Sequence, residues 1–272
     1  MRIRSCSGDQ DVDFRGHSTM LVLLAHQDDE FGFAPVISRA IKAKIHVVVA
    51  CLTSGGFSKE PDSTRDDELI ASLKAHGVTS SNYWPIGSAE CFPDSKLIEH
   101  LDAALTILEA RILLFGLNVT ALATHAWEGG HQDHDACNLV ARKLLKRNLT
   151  ACKLAMSFPM YHCENTTKPF FRAFNPVRSA IVHRVLKLTL VERIQILGLP
   201  IKYPSQVISL MGLYPFAFLE FGVFGRLHVL ALETSLHIVR PHLGVLFYER
   251  RNKFSYREFE YLANLFLKEQ KA

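Results

Sequence analysis

Residues 20–30 read MLVLLAHQDDE, and this stretch decides the fold. Residues 20–26 are an apolar run closed at once by polar side chains, which predicts a buried strand. Helical periodicity then follows to about Lys44. Outward from this point the alternation repeats. Residues 45–52 (IHVVVACL) are β-branched and end in the loop signal Thr53-Ser54-Gly55-Gly56. Residues 65–76 are helical in pattern and stop at Gly77, residues 82–86 suggest a third strand, and residues 95–115 a helix capped by Ser95. Residues 119–125 (VTALATH) predict a further strand and 131–147 a further helix. Strands alternating with helices in this way build βαβ units, and so predict an α/β protein with a doubly wound, mostly parallel sheet.

Beyond Thr150 the pattern is less regular. Residues 153–160 and 180–186 read as strands, 190–197 and 205–213 as helices set off by Pro200 and Pro204, and 254–271 as an amphipathic closing helix. With no linker-like stretch, the expectation is one domain over 1–272. Its core, 18–160, carries the motifs, and an α/β extension, 161–272, follows.

Composition narrows the class. At 272 residues, 48% hydrophobic and 21% charged, the chain is long enough for a sizeable core and excludes disorder. The formal net charge of +4 hides a division. Residues 1–136 carry 11 basic and 19 acidic side chains, and residues 137–272 carry 20 and 8. Aromatic residues divide 9 to 18. Six scattered cysteines (Cys6, Cys51, Cys91, Cys137, Cys152, Cys163) form no C-x-x-C pair, which favours a reducing cytoplasmic setting. The opening residues, MRIRSCSGDQDVDF, show no secretory h-region. The most apolar stretch, 207–232, is interrupted by Pro215, Glu220, Arg226 and His228, so a transmembrane helix is not expected, and its aromatic-rich part, 207–226, is expected in the core. Asn-x-Thr triplets at Asn118, Asn148 and Asn165 are attributed to chance. Basic residues occur only in short pairs, which argues against a nucleic-acid partner.

Two polar clusters carry the chemistry: 25–30 (AHQDDE), at the carboxyl end of the first strand, and 129–134 (GGHQDH), after the strand ending at His125. In an open parallel sheet, ligands bind outside such strand ends. His26 with Asp29, and His131 with His134, are spaced i, i+3, which places each pair on one face of a helical turn. Imidazole and carboxylate are zinc donors, and a catalytic zinc takes three of them with one position left open. A capping role for Asp28 or Asp29 is the competing reading.

These segments resemble the PIG-L/LmbE-like de-N-acetylase family, whose motifs AHPDDE and HPDH stand here as AHQDDE (25–30) and HQDH (131–134). The resemblance covers residues 18–160 and includes the Ser-Gly-Gly after the second strand and the Arg65-Asp66-Asp67-Glu68 helix start. It implies a Rossmann-like three-layer fold and a zinc-dependent hydrolase that removes acetyl from an N-acetylglucosamine-type sugar in a glycoconjugate. It makes His26, Asp29 and His134 ligands of one Zn2+ or other divalent ion per chain. Asp28 becomes the base that activates water, and His131 the group that assists the oxyanion or the leaving amine. Arg65, Glu30, His125, Glu128 and Tyr203 are substrate-binding candidates, and Asp133 could orient a histidine. The chain departs from the family at Gln27 and Gln132, where both motif prolines are replaced.

Other readings are an amide hydrolase of a thiol-sugar conjugate and a non-catalytic membrane-surface protein. A nucleotide-binding protein would need a G-x-G-x-x-G loop after the first strand, which is missing. The partners expected are an N-acetylated sugar or glycoconjugate, peripheral contact with the inner face of a membrane, and a second copy of the chain. The basic, aromatic half is expected to wall the site against an anionic part of the substrate, a phosphate or diphosphate, with its aromatic residues supplying sugar or lipid contact.

Overall fold

The computed structural model describes residues 11–56, 63–147, 150–252 and 254–268; Cys6 and Asn148 lie outside them. The first half runs β1 (Thr19–Leu24), α1 (Ala34–Lys42), β2 (His46–Cys51), α2 (Ser63–Ala75), β3 (Tyr83–Pro85), α3 (Ile86–Ala89), α4 (Leu101–Leu114), β4 (Val119–His125) and α5 (Gln132–Lys146). The second half adds β5 (Leu154–Phe158), β6 (Tyr161–His162), β7 (Arg172–Ala173) and β8 (Val182–Lys187). After these come α6 (Leu190–Gly198), α7 (Val207–Ala217), β9 (Arg226–Ala231), α8 (Phe247–Asn252) and α9 (Tyr256–Leu267).

Seven strands form one sheet in the order β3-β2-β1-β4-β5-β9-β8. The first five are mutually parallel, and β9 and β8 close the sheet antiparallel. The winding reverses between β1 and β4, so the crevice for a ligand opens at their carboxyl ends. β1 is buried throughout, which is why its sequence is continuously apolar rather than alternating. Met20, Val22 and Leu24 enter the core shared with α1, α2, α6 and α7. Leu21, Leu23 and Ala25 enter the core shared with α4, α5 and α9. Each such fully buried Leu, Val or Met side chain contributes about 1.5–3 kcal/mol.

Three expectations need correction. The helix expected from Ser95 starts at Leu101, after a 3-10 turn at Leu97–Glu99. Ser95 has φ +65°, outside the extended region an N-cap requires, and its N–H goes to Asp133 instead. Residues 207–226 do not lie wholly in the core, and the stretch to 232 is not one element. They split into α7, a π-helical turn (Phe218–Val223) and β9, with Met211, Phe218 and Val223 exposed. The closing helix is shorter than 254–271; it begins after the capping box of Ser255 and Glu258 and ends at Leu267.

Candidate active site

The two clusters converge because β1 and β4 are neighbours. Beyond β1 the chain turns into a 3-10 helix, Asp29–Gly32, and Asp29 Oδ2 accepts the His26 N–H at 2.6 Å, which closes the turn. Beyond β4, His131 occupies the N-cap of α5. Its Nδ1 accepts the Asp133 N–H at 3.2 Å, so the ring proton sits on Nε2, 3.6 Å from Asp94 Oδ1. His134 follows on the first turn of α5, with Nε2 3.1 Å from Asp29 Oδ1. The N-terminal end of α5 thus points its positive dipole into the crevice.

Donor atoms of His26, Asp29 and His134 lie within 4.8 Å of one another, and all three side chains are buried. His26 Nε2 also faces Asp94 (3.4 Å) and Asp133 (3.3 Å). The site therefore concentrates carboxylates around one imidazole. Burial alone would lower the His26 pKa, yet Asp94 and Asp29 raise it well above the ordinary value. Burial opposes ionisation of Asp29, but His134, His125 and His26 hold it well below the usual carboxylate range. Burial lowers His131 and His134 to about 4, so both rings are neutral near pH 7. The positive charge among these imidazoles is then the proton on His26, which stands where a cation would satisfy the same carboxylates. Two imidazoles and a carboxylate fit a divalent metal.

A cavity of about 370 Å³ opens over this cluster. Of the residues expected from sequence, it is lined by His26, Asp28, Asp29, Arg65, His131 and His134. Arg65 donates to Asp28 Oδ1 at 2.6 Å and to the Gly55 carbonyl, rather than pairing within its own helix. Four expected substrate contacts lie beneath the site instead. Glu30 is fully buried, accepts from the Ser72 hydroxyl at 2.6 Å, and is pushed up to about 8 by burial. Tyr203 is buried with its hydroxyl toward Glu30, and its segment reaches the cavity through Gln206. His125 Nε2 accepts the Ala25 N–H at 3.0 Å while the ring stacks on His134 at 4.1 Å. Glu128 accepts the N–H groups of Met160 (2.8 Å) and Tyr161 (2.9 Å).

The glutamines that replace the motif prolines also serve the scaffold. Gln27 is fully buried and donates to Asp66 (3.0 Å) and the Thr53 carbonyl (3.2 Å), and Gln132 donates to the Ser95 carbonyl. No proline could make these bonds.

Sequence reading missed Asp94. It sits on the loop after α3, held in place because Asp133 accepts the N–H groups of Ser95 (2.6 Å) and Leu97 (3.0 Å). Its only local signal is the turn-rich Phe92-Pro93-Asp94-Ser95. The far wall comes from the aromatic half, as expected, through residues the sequence did not single out. Tyr161, Phe171 and Phe247 supply aromatic rings, α7 supplies Ile208, Leu210 and Leu213, and Arg251 is the sole lining cation from the basic half among the described residues.

The profile of the GlcNAc-PI de-N-acetylase (PIG-L) family matches residues 21–145. An N-acetylglucosaminyl-phosphatidylinositol de-N-acetylase of Bos taurus is 28% identical over 131 residues, covering 47% of this chain and 51% of that protein. The chain thus matches about half the length of this curated relative. Among solved structures, a teicoplanin-pathway deacetylase with bound bog aligns with TM-score 0.57 at 16% identity, over 79% of this chain and 97% of the other. Teicoplanin deacetylase in its zinc-inhibited form aligns with TM-score 0.55 at 15% identity, over 78% and 96%. At such identities the likeness is one of fold. The PIG-L family model thus matches residues 21–145, somewhat under half of the chain, and the overall fold is like that of the teicoplanin-pathway deacetylase.

Proposed function

We propose that this protein is a metal-dependent hydrolase that removes the N-acetyl group from a GlcNAc-type sugar conjugate, with zinc as the metal. The observation that carries the reading is the buried His26, Asp29 and His134 set, with Asp28 and His131 beside it on the wall of one cavity. The family match and the bovine relative support the same reaction class.

His26, Asp29 and His134 would hold the metal, which supplies Lewis acidity at the acyl carbonyl and acidifies water. Asp28, fixed from behind by Arg65, takes the proton of the attacking water. The low pKa of His131 and its Nδ1 contact favour a neutral ring with an Nε2–H donor, suited to the oxyanion. The amine then departs with the proton that Asp28 collected. Tyr161, Phe171 and Phe247 offer faces for a sugar ring, and the cavity volume suits a monosaccharide unit with its acyl group.

The test is acetate release by the purified full chain from a panel of N-acyl glucosaminides, with metal content measured in parallel. Release that stops on chelation, returns with Zn2+, and disappears in His134→Ala supports the proposal. Undiminished release by His134→Ala, or a purified protein with no bound metal and full activity, refutes it.

A further inference from the structure

The hairpin formed by α6, α7 and the π turn exposes an apolar face that a water-bathed protein ordinarily covers. Pro204–Val223 is a helical stretch long and apolar enough to cross a bilayer, yet less than a quarter of it is buried. Ile201 is 85% exposed, Leu190 71%, Met211 68% and Ile194 65%, with Phe218, Val223 and Phe224 each about half exposed. α6 is tied to the π turn that continues α7, because Arg193 of α6 donates to the Gly222 and Val223 carbonyls.

The segment does not span. Leu210, Ala217 and Phe221 are committed to the core, Leu210 and Leu213 also wall the cavity, and Pro215 interrupts the helix interior. A helix with one face in the protein and the other bare lies in an interface plane.

The charges indicate which interface. Residues 188–226 hold two carboxylates, and both are turned inward: Glu192 is 5% exposed and paired with Arg39, Glu220 6% exposed and paired with Arg226. Lys202 is exposed beside Ile201, and the Arg226 guanidinium lies over the Phe224 ring at 4.7 Å. The bare face therefore offers apolar side chains with the Lys202 ammonium at its edge, both of the segment's carboxylates turned inward and Arg226 matched by Glu220. We propose that the α6–α7 face docks this protein on an anionic phospholipid bilayer, with the hairpin lying in the headgroup layer. The opposite side of α7 walls the cavity, so the docked enzyme would present its site at the lipid surface. The inference goes beyond the deacetylase reading and does not depend on it.

The experiment is flotation of the full chain with phosphatidylcholine vesicles, with and without phosphatidylserine. The expected result is flotation with the mixed vesicles, weaker with phosphatidylcholine alone. In the triple variant Ile194→Glu, Ile201→Glu, Met211→Glu the partition coefficient should fall about 100-fold. A second measurement guards against misfolding of that variant. Met211→Trp in the otherwise unchanged chain should show a blue-shifted emission with mixed vesicles and quenching by brominated lipid. Absence of both flotation and emission shift overturns the proposal. So does a concentration-dependent dimer that the triple variant disperses while vesicles bind neither form, since a second copy would then cover the face. Flotation is scored without catalysis, so its failure leaves the deacetylase reading standing, and an inactive chain that floats counts only against that reading.

Discussion

Replacing Glu128 asks whether a buried acid beside the second motif builds the pocket or serves the reaction. Its side chain is fully buried, one oxygen accepts the Met160 and Tyr161 N–H groups, and the other has no partner. Burial pushes its pKa well above the usual carboxyl value, against the lowering effect of those two donors, with Asp135 adding to the rise. A carboxyl whose folded pKa is raised contributes stability at low pH that is lost as pH climbs from the unfolded value, about 4.3, toward the folded one. Glu128→Gln keeps an acceptor for both donors and cannot ionise. It should cost under about 1 kcal/mol at pH 5 and gain on the wild type by pH 8. Glu128→Ala strands two buried donors at about 1–3 kcal/mol each, so a loss of about 2–6 kcal/mol is expected. Urea unfolding of the three proteins at pH 5 and pH 8 measures this. The reasoning is refuted if Gln proves as damaging as Ala, or if Gln loses ground to the wild type as pH rises.

Three further outcomes follow from the same geometry. Glu192 receives a bidentate contact from Arg39 at 2.8 and 2.9 Å, which brings its pKa down to about 2 although burial opposes the shift. Its stabilisation is present above the unfolded value and fades as pH falls toward 2, so Glu192→Gln should cost about 1–2 kcal/mol at pH 7 and progressively less in acid, read by thermal unfolding across pH. Gly87→Ala would put a Cβ 2.1 Å from the Thr53 backbone, an overlap no rotamer relieves. A loss of about 3 kcal/mol or more is expected, and a melting temperature within about 2 °C of wild type would contradict it. Asp133→Ala frees the Ser95 and Leu97 N–H groups and with them the loop bearing Asp94. Deacetylation should drop about 10–100-fold with metal content retained, and parallel loss of metal would assign Asp133 to the ligand set instead.

The parallel core was legible because its strands are buried on both faces and its helices are punctuated by glycine; Gly77 stops α2 with φ +90°. The motif residues were legible because strand order puts 25–30 and 129–134 side by side whatever the loops do. What failed were inferences about direction. Glu30, His125 and Glu128 sit within a few residues of ligand candidates yet point into the protein, and adjacency in sequence cannot tell the outer side of a turn from the inner. Ser95 has an N-cap's residue type but not its backbone angle. Asp94 was illegible because its place depends on two N–H bonds to a residue 38 or so positions away. The aromatic-rich residues 207–226 were assigned to the interior on composition alone, which measures dislike of water and not whether the fold supplies a cover.

That last correction changes the meaning of the charge division. The basic half was expected to wall the site with cations toward an anionic substrate and aromatics toward sugar or lipid; the wall it supplies is aromatic and aliphatic, with Arg251 its one cation among the lining residues described. The acidic half does carry the site's carboxylates: Asp28, Asp29, Asp94 and Asp133 surround or border the histidines. The positive excess therefore lies largely on the exterior, and on the α6–α7 hairpin it is sharpened by turning both acids inward onto Arg39 and Arg226. A pocket needs local charge matched to its own ligands, whereas a long-range field acts on whatever approaches the whole face. Neutralising Arg251 should thus weaken handling of a charged substrate and spare vesicle binding, and because Arg251 is itself exposed the loss should be largest at low salt. Neutralising Lys202 should weaken only vesicle binding, and that effect should shrink as salt rises, because screening acts on exposed charge.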